Sequence, residues 1–273
     1  MSGLQLVKHH GLGNDFLVAF DVEQTDDELS ALARSVCDRR RGIGADGLLI
    51  GEHDPVVDAR MVLFNADGSR AEMSGNGIRC FAQAVATRRG DLSRQTIRTD
   101  AGLRTVDLTA TAAAGTILAT VEMGEVAEIS EPPSWASIGA DPGRAVAHLS
   151  LGNPHAVVPV DDVTVVDLVA LGAKVPLINL EIIEPGPEPH AITMRVHERG
   201  AGITEACGTG ACAAAVAAWR WGMAALADGK LIVHMDGGSA SVGFIADGDP
   251  HAPARVSLTG PSTYVATIEF PHL

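Results

Sequence analysis

The sequence predicts an α+β protein of two pseudo-symmetric domains, each a mostly antiparallel, barrel-like sheet wrapped around a central helix. Three observations carry this expectation. Most segments read as short β-prone runs bounded by Gly-rich turns, and each half holds one apolar helix that opens on a small side chain followed by Gly-x-Gly. The halves also repeat each other. EMSGNGIRCFAQAVA lies over EACGTGACAAAVAA with Ser74 on Cys207 (207 − 74 = 133), Gly75 on Gly208 and Gly77 on Gly210, while GLGNDF lies over SLGNPH with Asn14 on Asn153 (153 − 14 = 139). Two matches in the same order point to a duplicated domain.

In chain order, LQLVKHHGLGNDFLVAF predicts strand, loop, strand, with Asn14 in the loop. TDDELSALARSVCDRRRG predicts a surface amphipathic helix, with a capping Thr/Asp cluster at its start and basic residues and Gly42 at its end. GLLIGE and ARMVLFNADG predict strands, SGNGIRCFAQAVATRRG the first apolar helix, and QTIRTDAGLRTVDLTA and TILATVEMGE further strands. The second half follows the same plan. AVAHLSLGNPHAVVPV predicts strand, loop, strand; AITMRVHERGAG a strand running into a loop; then come the Ala-rich helix from Cys207 and strands in KLIVHMDGG, SVGFIA, ARVSLTG and YVATIEF. The low-information run ATAAAG, Ala110 to Gly115, is the expected linker, giving domains 1–114 (with a returning strand, 263–273) and 115–262.

Composition excludes several classes. With a formal net charge of -14 no basic patch could outweigh the overall field, so nucleic acid is not an expected partner. The apolar stretch GACAAAVAAWRWGMAALA is interrupted by Arg220 and predicts a buried helix, not a membrane span. MSGLQLVKHHGLGNDF lacks the apolar core of a secretory signal, so a cytoplasmic location is expected. Cys37, Cys80, Cys207 and Cys212 are too few for a disulfide scaffold and are expected as free thiols. No metal site is expected: His9 and His10 would point apart on a strand, and Cys207 with Cys212 lacks zinc spacing. GTGACA formally matches a dinucleotide fingerprint, but ERGAGITEA separates it from the preceding strand; GIGADG follows a helix and precedes a strand, the wrong order. Met73 and Glu72 before Ser74 exclude a hydrolase nucleophile elbow.

The two helix starts carry the chemistry. Each places a small proton-bearing side chain beside unpaired backbone N–H groups at the positive end of a helix, which suits a carboxylate. Capping alone also asks for small residues there, but leaves their repetition unexplained. With the two starts expected to face a shared cleft, an α-amino acid could be held by its carboxylate while one side chain approaches Cα from each face. Fixed N–H dipoles would stabilise the developing enolate without a cofactor. A thiol at a helix start is expected to have a lowered pKa, so Cys207 is the candidate base.

The motifs HGLGNDF, GIGADGLL, FNADGSRAEMSGNGIRC, LGNPHAV and HERGAGITEACGTGAC resemble, in order and spacing across essentially the whole chain, the diaminopimelate epimerase family. The resemblance implies pyridoxal-independent interconversion of LL- and meso-diaminopimelate on the route to lysine and peptidoglycan, with no cofactor and usually in a homodimer. It implies that Asn14, Asn65, Asn153 and Asn179 bind substrate, that Arg199 pairs bidentately with the distal carboxylate, and that Gly75, Asn76, Gly208 and Thr209 offer amides to the α-carboxylate. It further implies that His155 and Glu198 tune the catalytic pair and that Glu198 also belongs to the binding site. One position departs: Ser74 stands where the family has the cysteine of CGNG. A serine hydroxyl does not ionise near neutral pH, so reduced activity is expected, and Cys80, about 9 Å further along the helix, should not compensate. Two other readings stand beside this one: a related racemase, for instance of a basic amino acid, or an amino-acid binding protein impaired in catalysis by Ser74.

Overall fold

The computed structural model describes residues 3–139, 141, 143–245 and 254–271. Its first unit, residues 1–122 with 260–273, begins with β1 (Leu4–Gly11), β2 (Asn14–Phe20), α1 (Asp26–Cys37), β3 (Gly47–Glu52), β4 (Ala59–Asn65) and β5 (Arg70–Ala71). It continues with α2 (Gly75–Arg89), β6 (Gln95–Thr99), β7 (Gly102–Ala110) and the start of β8 (Thr116–Glu128). The second unit, residues 123–259, holds a 3-10 turn (Trp135–Ile138), β9 (Ala147–Ser150), β10 (Pro154–Pro159), α3 (Leu168–Gly172), β11 (Asn179–Pro185) and β12 (Ala191–Glu198). β13 (Gly202–Thr204), α4 (Gly208–Arg220), β14 (Lys230–Met235), β15 (Gly238–Phe244) and the start of β16 (Ala254–Phe270) complete it.

The first unit's strand order is β8-β7-β6-β4-β3-β2-β1-β16, and pairing of β8 with β16 closes the sheet. Two neighbours are parallel, β2 with β3 and β4 with β6, because α1 and α2 supply the crossovers that parallel pairs require. α1 starts as expected: the Thr25 hydroxyl caps Glu28 N–H, and the Glu28 carboxylate accepts from Thr25 N–H at 2.8 Å. It packs Leu29, Leu32, Ala33 and Val36 against the outside of β3 and β4. α2 instead lies inside the sheet, with every residue from Gly75 to Ala86 buried. Full burial of Ile78 and Phe81 contributes about 1.5–3 kcal/mol each, which offsets the low helix propensity of the Gly-x-Gly start.

The second unit repeats this wiring. Its order runs from the end of β8 through β9-β10-β11-β12-β14-β15 to β16, with β10–β11 and β12–β14 parallel. The short strands β5 and β13 occupy matching places, each antiparallel to the strand that precedes the buried helix. α4, buried from Gly208 to Ala218, packs against β9, β10, β11, β12, β14 and β15. The expected duplication is therefore a duplication of topology: α+β, two pseudo-symmetric domains, each a mostly antiparallel sheet about one helix.

Some elements differ from expectation. Ala110 to Gly115, expected as a linker, contains the turn between β7 and β8, whose pairing continues the hydrogen-bonded sheet across it; the two compact units divide inside β8 instead. ARVSLTG and YVATIEF form one strand, β16, which passes from the second unit to the first. Pro261 is accommodated because it lies between two ladders, Val256–Thr259 with β15 and Thr263–Phe270 with β1, where its missing N–H is not needed. The short α3 and strand β11 carry no periodic signal long enough to read. Residues 272 and 273 of the expected returning strand, and Ala246 of SVGFIA, lie outside the described residues.

Candidate active site

Both candidate catalytic residues are helix caps with nearly the same backbone geometry. Ser74 (φ -134, ψ 126) caps α2 and its hydroxyl accepts from Gly77 N–H at 3.0 Å. Cys207 (φ -125, ψ 114) caps α4 and its sulfur accepts from Gly210 N–H at 3.4 Å. The next hydrogen bonds, Ile78 N–H to Ser74 and Ala211 N–H to Cys207, are made by the backbone carbonyls of the same caps. Capping is thus real at both positions, and it leaves the Gly208 and Thr209 amides of α4's first turn unconsumed by helix or cap. The second glycine of each motif lies close to its cap: a Cβ at Gly77 would stand 3.1 Å from Ser74 Cβ, and one at Gly210 would stand 3.2 Å from Cys207 Sγ.

In the first unit, Asn14 and Asn76 join the α2 start. Asn76 Nδ2 donates to Asn14 Oδ1 at 3.0 Å, and Asn14 Nδ2 donates to Asp46 Oδ2 at 2.7 Å. From beneath, the fully buried Arg79 donates to Asn76 Oδ1 at 2.7 Å and to the Gly75 carbonyl at 3.0 Å. Asn65 is exposed at the end of β4 and gives its amide to Ser69 Oγ at 2.9 Å, outside the Asn14–Asn76 group. Cys80 is enclosed, and burial pushes its thiol up to about 12, which removes it as an alternative to the missing thiol.

In the second unit, Asn153, His155, Thr209 and Cys207 form one hydrogen-bonded group. His155 Nε2 meets Asn153 Oδ1 at 3.2 Å, Asn153 Nδ2 donates to Thr209 Oγ1 at 3.2 Å, and Thr209 Oγ1 lies 3.6 Å from Cys207 Sγ. Asn179 is buried with both ends of its amide engaged, donating to the Pro154 carbonyl at 3.0 Å and accepting from Arg199 N–H at 2.9 Å. It therefore holds the Arg199 backbone, while the Arg199 side chain is exposed and makes no ion pair among the described residues. Glu198 accepts from Thr204 Oγ1 at 2.6 Å.

One expectation is overturned. Cys207 was expected to ionise readily at a helix start; instead its pKa is raised well above the ordinary thiol value, first by burial, then by the charge of Glu198 and, when it is ionised, of Glu181. Two weak donors do not offset these effects, which favour the protonated thiol in the resting protein. Sequence reading also missed Glu181, fully buried on β11, with Oε1 2.6 Å from His155 Nδ1. Its signal was an acidic residue inside an otherwise apolar run, LEII.

All four cysteines are free and buried. Among the described residues no group of three or more His, Cys, Asp or Glu side chains gathers in a metal-binding arrangement, and no helix is long and apolar enough to cross a membrane.

Comparison with known proteins finds relatives that match along nearly the whole chain. The family described as diaminopimelate epimerase matches residues 6–129 and 148–265. The diaminopimelate epimerase of Pseudomonas fluorescens is 38% identical over 276 residues, covering 96% of this chain and 97% of its own. That of Desulfitobacterium hafniense is 37% identical over 284 residues, covering 96% of each chain. Among solved structures, the fold is shared with a PhzF-family phenazine biosynthesis protein from Bacillus anthracis (TM-score 0.75, 15% identity, 100% of both chains). It is also shared with a hydroxyproline epimerase from Agrobacterium vitis (TM-score 0.70, 17% identity, 98% of this chain and 91% of that one). With two glycine-flanked helix caps in a duplicated fold, and near-full-length identity to these relatives, the chain belongs to the diaminopimelate epimerase family.

Proposed function

We propose that the protein is an isomerase that epimerises diaminopimelate at Cα without a cofactor, with Cys207 as its competent proton carrier and Ser74 as a weaker opposite. The observation that supports this most is the matched pair of caps, each presenting a proton-bearing side chain beside helix-start amides. Inversion at Cα asks for one group to remove the proton and another to deliver one on the opposite face. The resting Cys207 thiol suits delivery. Its use as a base requires compensation of the neighbouring carboxylates, which the substrate's α-ammonium group would supply. Gly75, Asn76, Gly208 and Thr209 would bind the α-carboxylate through backbone amides, and Asn14, Asn65 and Asn153 the substrate's polar groups. Asn179 would act by holding Arg199, whose uncommitted guanidinium suits the distal carboxylate. His155 and Glu198 would tune the sulfur. Ser74 would pass a proton through water or donate one, but would be slow as a base.

We assign the activity to the lysine and peptidoglycan precursor route, in the cytoplasm and as a homodimer, on the strength of family membership. Sedimentation of the purified protein tests the dimer, with a species of one chain mass counting against it. The activity is tested by proton NMR in D2O with LL- and, separately, meso-diaminopimelate. Deuterium at Cα with formation of the other isomer from both substrates supports a working Ser74. Exchange from one isomer without inversion means that Cys207 acts alone. If neither the native protein nor Ser74→Cys exchanges, the substrate assignment is wrong.

A further inference from the structure

The repeated topology makes the first unit a control for the second. Parallel β2–β3 pairs Phe16 with Gly47, and parallel β10–β11 pairs His155 with Asn179. Since Asn14 corresponds to Asn153, Phe16 corresponds to His155; since Gly47 corresponds to Asn179, Leu49 corresponds to Glu181. The positions are equivalent against the helices too. A Cβ at Gly77 would meet Leu49 Cδ2 at 3.5 Å, and one at Gly210 would meet Glu181 Oε1 at 2.6 Å. The fold is therefore satisfied by Phe and Leu at these two places. In the second unit they are His and Glu, both 0% exposed, and a buried ionisable pair is no stability gain over well-packed apolar side chains.

We propose that Glu181 is a positioning residue for Cys207, sharing a proton with His155 Nδ1 so that Nε2 stays protonated and the hydrogen-bond chain through Asn153 and Thr209 points at the sulfur. This deepens the proposed function and rests on it for the role of Cys207. The direction of the chain follows from donor counting. A hydrogen on Nε2 goes to Asn153 Oδ1, the Asn153 amide N–H goes to Thr209 Oγ1, and the Thr209 hydrogen is left for Cys207 Sγ. With Nε2 bare, the Asn153 amide would turn, Oδ1 would take the Thr209 hydrogen, and the sulfur would lose that donor. A carboxylate facing neutral imidazole puts the single proton on Nδ1 and leaves Nε2 bare. One proton more, on Oε1, makes Nδ1 an acceptor and puts the ring hydrogen on Nε2. The surroundings favour that extra proton: Glu181 is enclosed, its Oε2 has no hydrogen-bond partner among the described residues, and Glu198 on β12 adds negative charge. His155 on β10 and the Cys207 thiol on α4 are the other titratable groups facing it. Burial accordingly raises the Glu181 pKa. Asn153 cannot hand on a proton, so the chain orients and polarises and does not conduct.

The test is nitrogen-15 NMR of the ligand-free protein at neutral pH, with His155 signals assigned by their loss in His155→Gln. Nε2 is expected to be protonated in the native protein and in Glu181→Gln, whose amide N–H can donate to Nδ1. In Glu181→Leu a substantial bare fraction is expected. In parallel, alkylation of Cys207 by iodoacetamide, read by peptide mass spectrometry, should slow about tenfold in Glu181→Leu and change little in Glu181→Gln. A bare Nε2 in the native protein overturns the proposal, as does equal Cys207 alkylation in all three proteins. Should Glu181→Leu not fold, the native and Glu181→Gln spectra decide. A protonated Nε2 with no Cα exchange from diaminopimelate in either the native protein or Ser74→Cys would sink the substrate assignment while leaving the hydrogen-bond chain intact.

Discussion

Replacing the second glycine of each motif by alanine separates the two helix starts. In a helix interior, alanine is favoured over glycine by about 0.5–1 kcal/mol, because less backbone freedom is lost on folding. At Gly77 the new Cβ would stand 3.1 Å from Ser74 Cβ, 3.3 Å from Ser74 Oγ and 3.5 Å from Leu49 Cδ2. Ser74 is only half-buried and can yield by a few tenths of an ångström, so Gly77→Ala should change stability by less than about 1 kcal/mol either way. At Gly210 the same Cβ would meet Glu181 Oε1 at 2.6 Å, well inside the normal carbon–oxygen approach of about 3.3 Å. That oxygen cannot swing away, because Glu181 is fully enclosed and held by His155 at 2.6 Å. Overpacking of this kind costs about 1–3 kcal/mol. Taking about 2 kcal/mol, Gly210→Ala should lower Tm by about 4 °C relative to the native chain, with Gly77→Ala close to native. Differential scanning calorimetry of the three proteins reads this directly. Equal Tm values for the two variants would refute the claim that a rigid carboxylate fills the space beside the α4 start.

Asn179→Ala should destabilise by about 1–3 kcal/mol in urea unfolding, because it leaves the Pro154 carbonyl and the Arg199 N–H without their shared partner. If substrate binds, its KM should rise more than kcat falls, since Asn179 acts by holding Arg199. Cys37 and Cys80, both pushed up to about 12 by burial, hold their protons more tightly in the folded chain than in the unfolded one. Their contribution is therefore complete below the unfolded thiol value of about 8.5 and is lost as pH rises from there toward about 12. Tm measured against pH should fall in that window less steeply for Cys80→Ala than for the native protein. Finally, Ser74→Cys should introduce a thiol that iodoacetamide alkylates faster than Cys207. Position 74 is less buried, and the Arg79 guanidinium bound to the Gly75 carbonyl lies in the same helix turn, whereas Cys207 faces Glu198 and Glu181. Slower alkylation at position 74, read by peptide mapping, would contradict that electrostatic contrast.

Much of the fold was legible because it depends on local signals. The α1 start is carried by Thr25 and Glu28, three residues apart, and both halves of that capping box form. β3 matches GLLIGE to the residue, since Gly47–Gly51 is a continuous buried run and Glu52 ends it at partial exposure. What could not be read depends on partners far away in sequence. Whether Pro261 breaks a strand is decided by where the β15 ladder ends and the β1 ladder begins, and nothing near Pro261 encodes that. The pKa of Cys207 is a similar case. The helix start that should lower it is local, but Glu198 and Glu181 arrive from β12 and β11, and burial outweighs the pull of the helix start.

The duplication held more information than the motif match used. Laying GLGNDF over SLGNPH to equate Asn14 with Asn153 also lays Phe16 over His155, an apolar residue over an ionisable one at a position that the repeat makes equivalent. Extending the comparison to GLL over NLE lays Leu49 over Glu181. Agreement between the halves marks what the two units have in common: the asparagine before the strand and the glycines after the cap. Disagreement at buried positions marks what packing does not need, and here it falls on the pair beside Cys207 and, in the other unit, on Arg79, which lies over Cys212 by the same offset of 133. One unit thus places a buried cation beneath its helix start, and the other places a buried acid and imidazole. Two starts with nearly equal backbone geometry and different buried groups beneath them will hold protons differently. Serine at position 74 removes the titrating group from the cationic side while leaving the arginine, its asparagines and the cap in place.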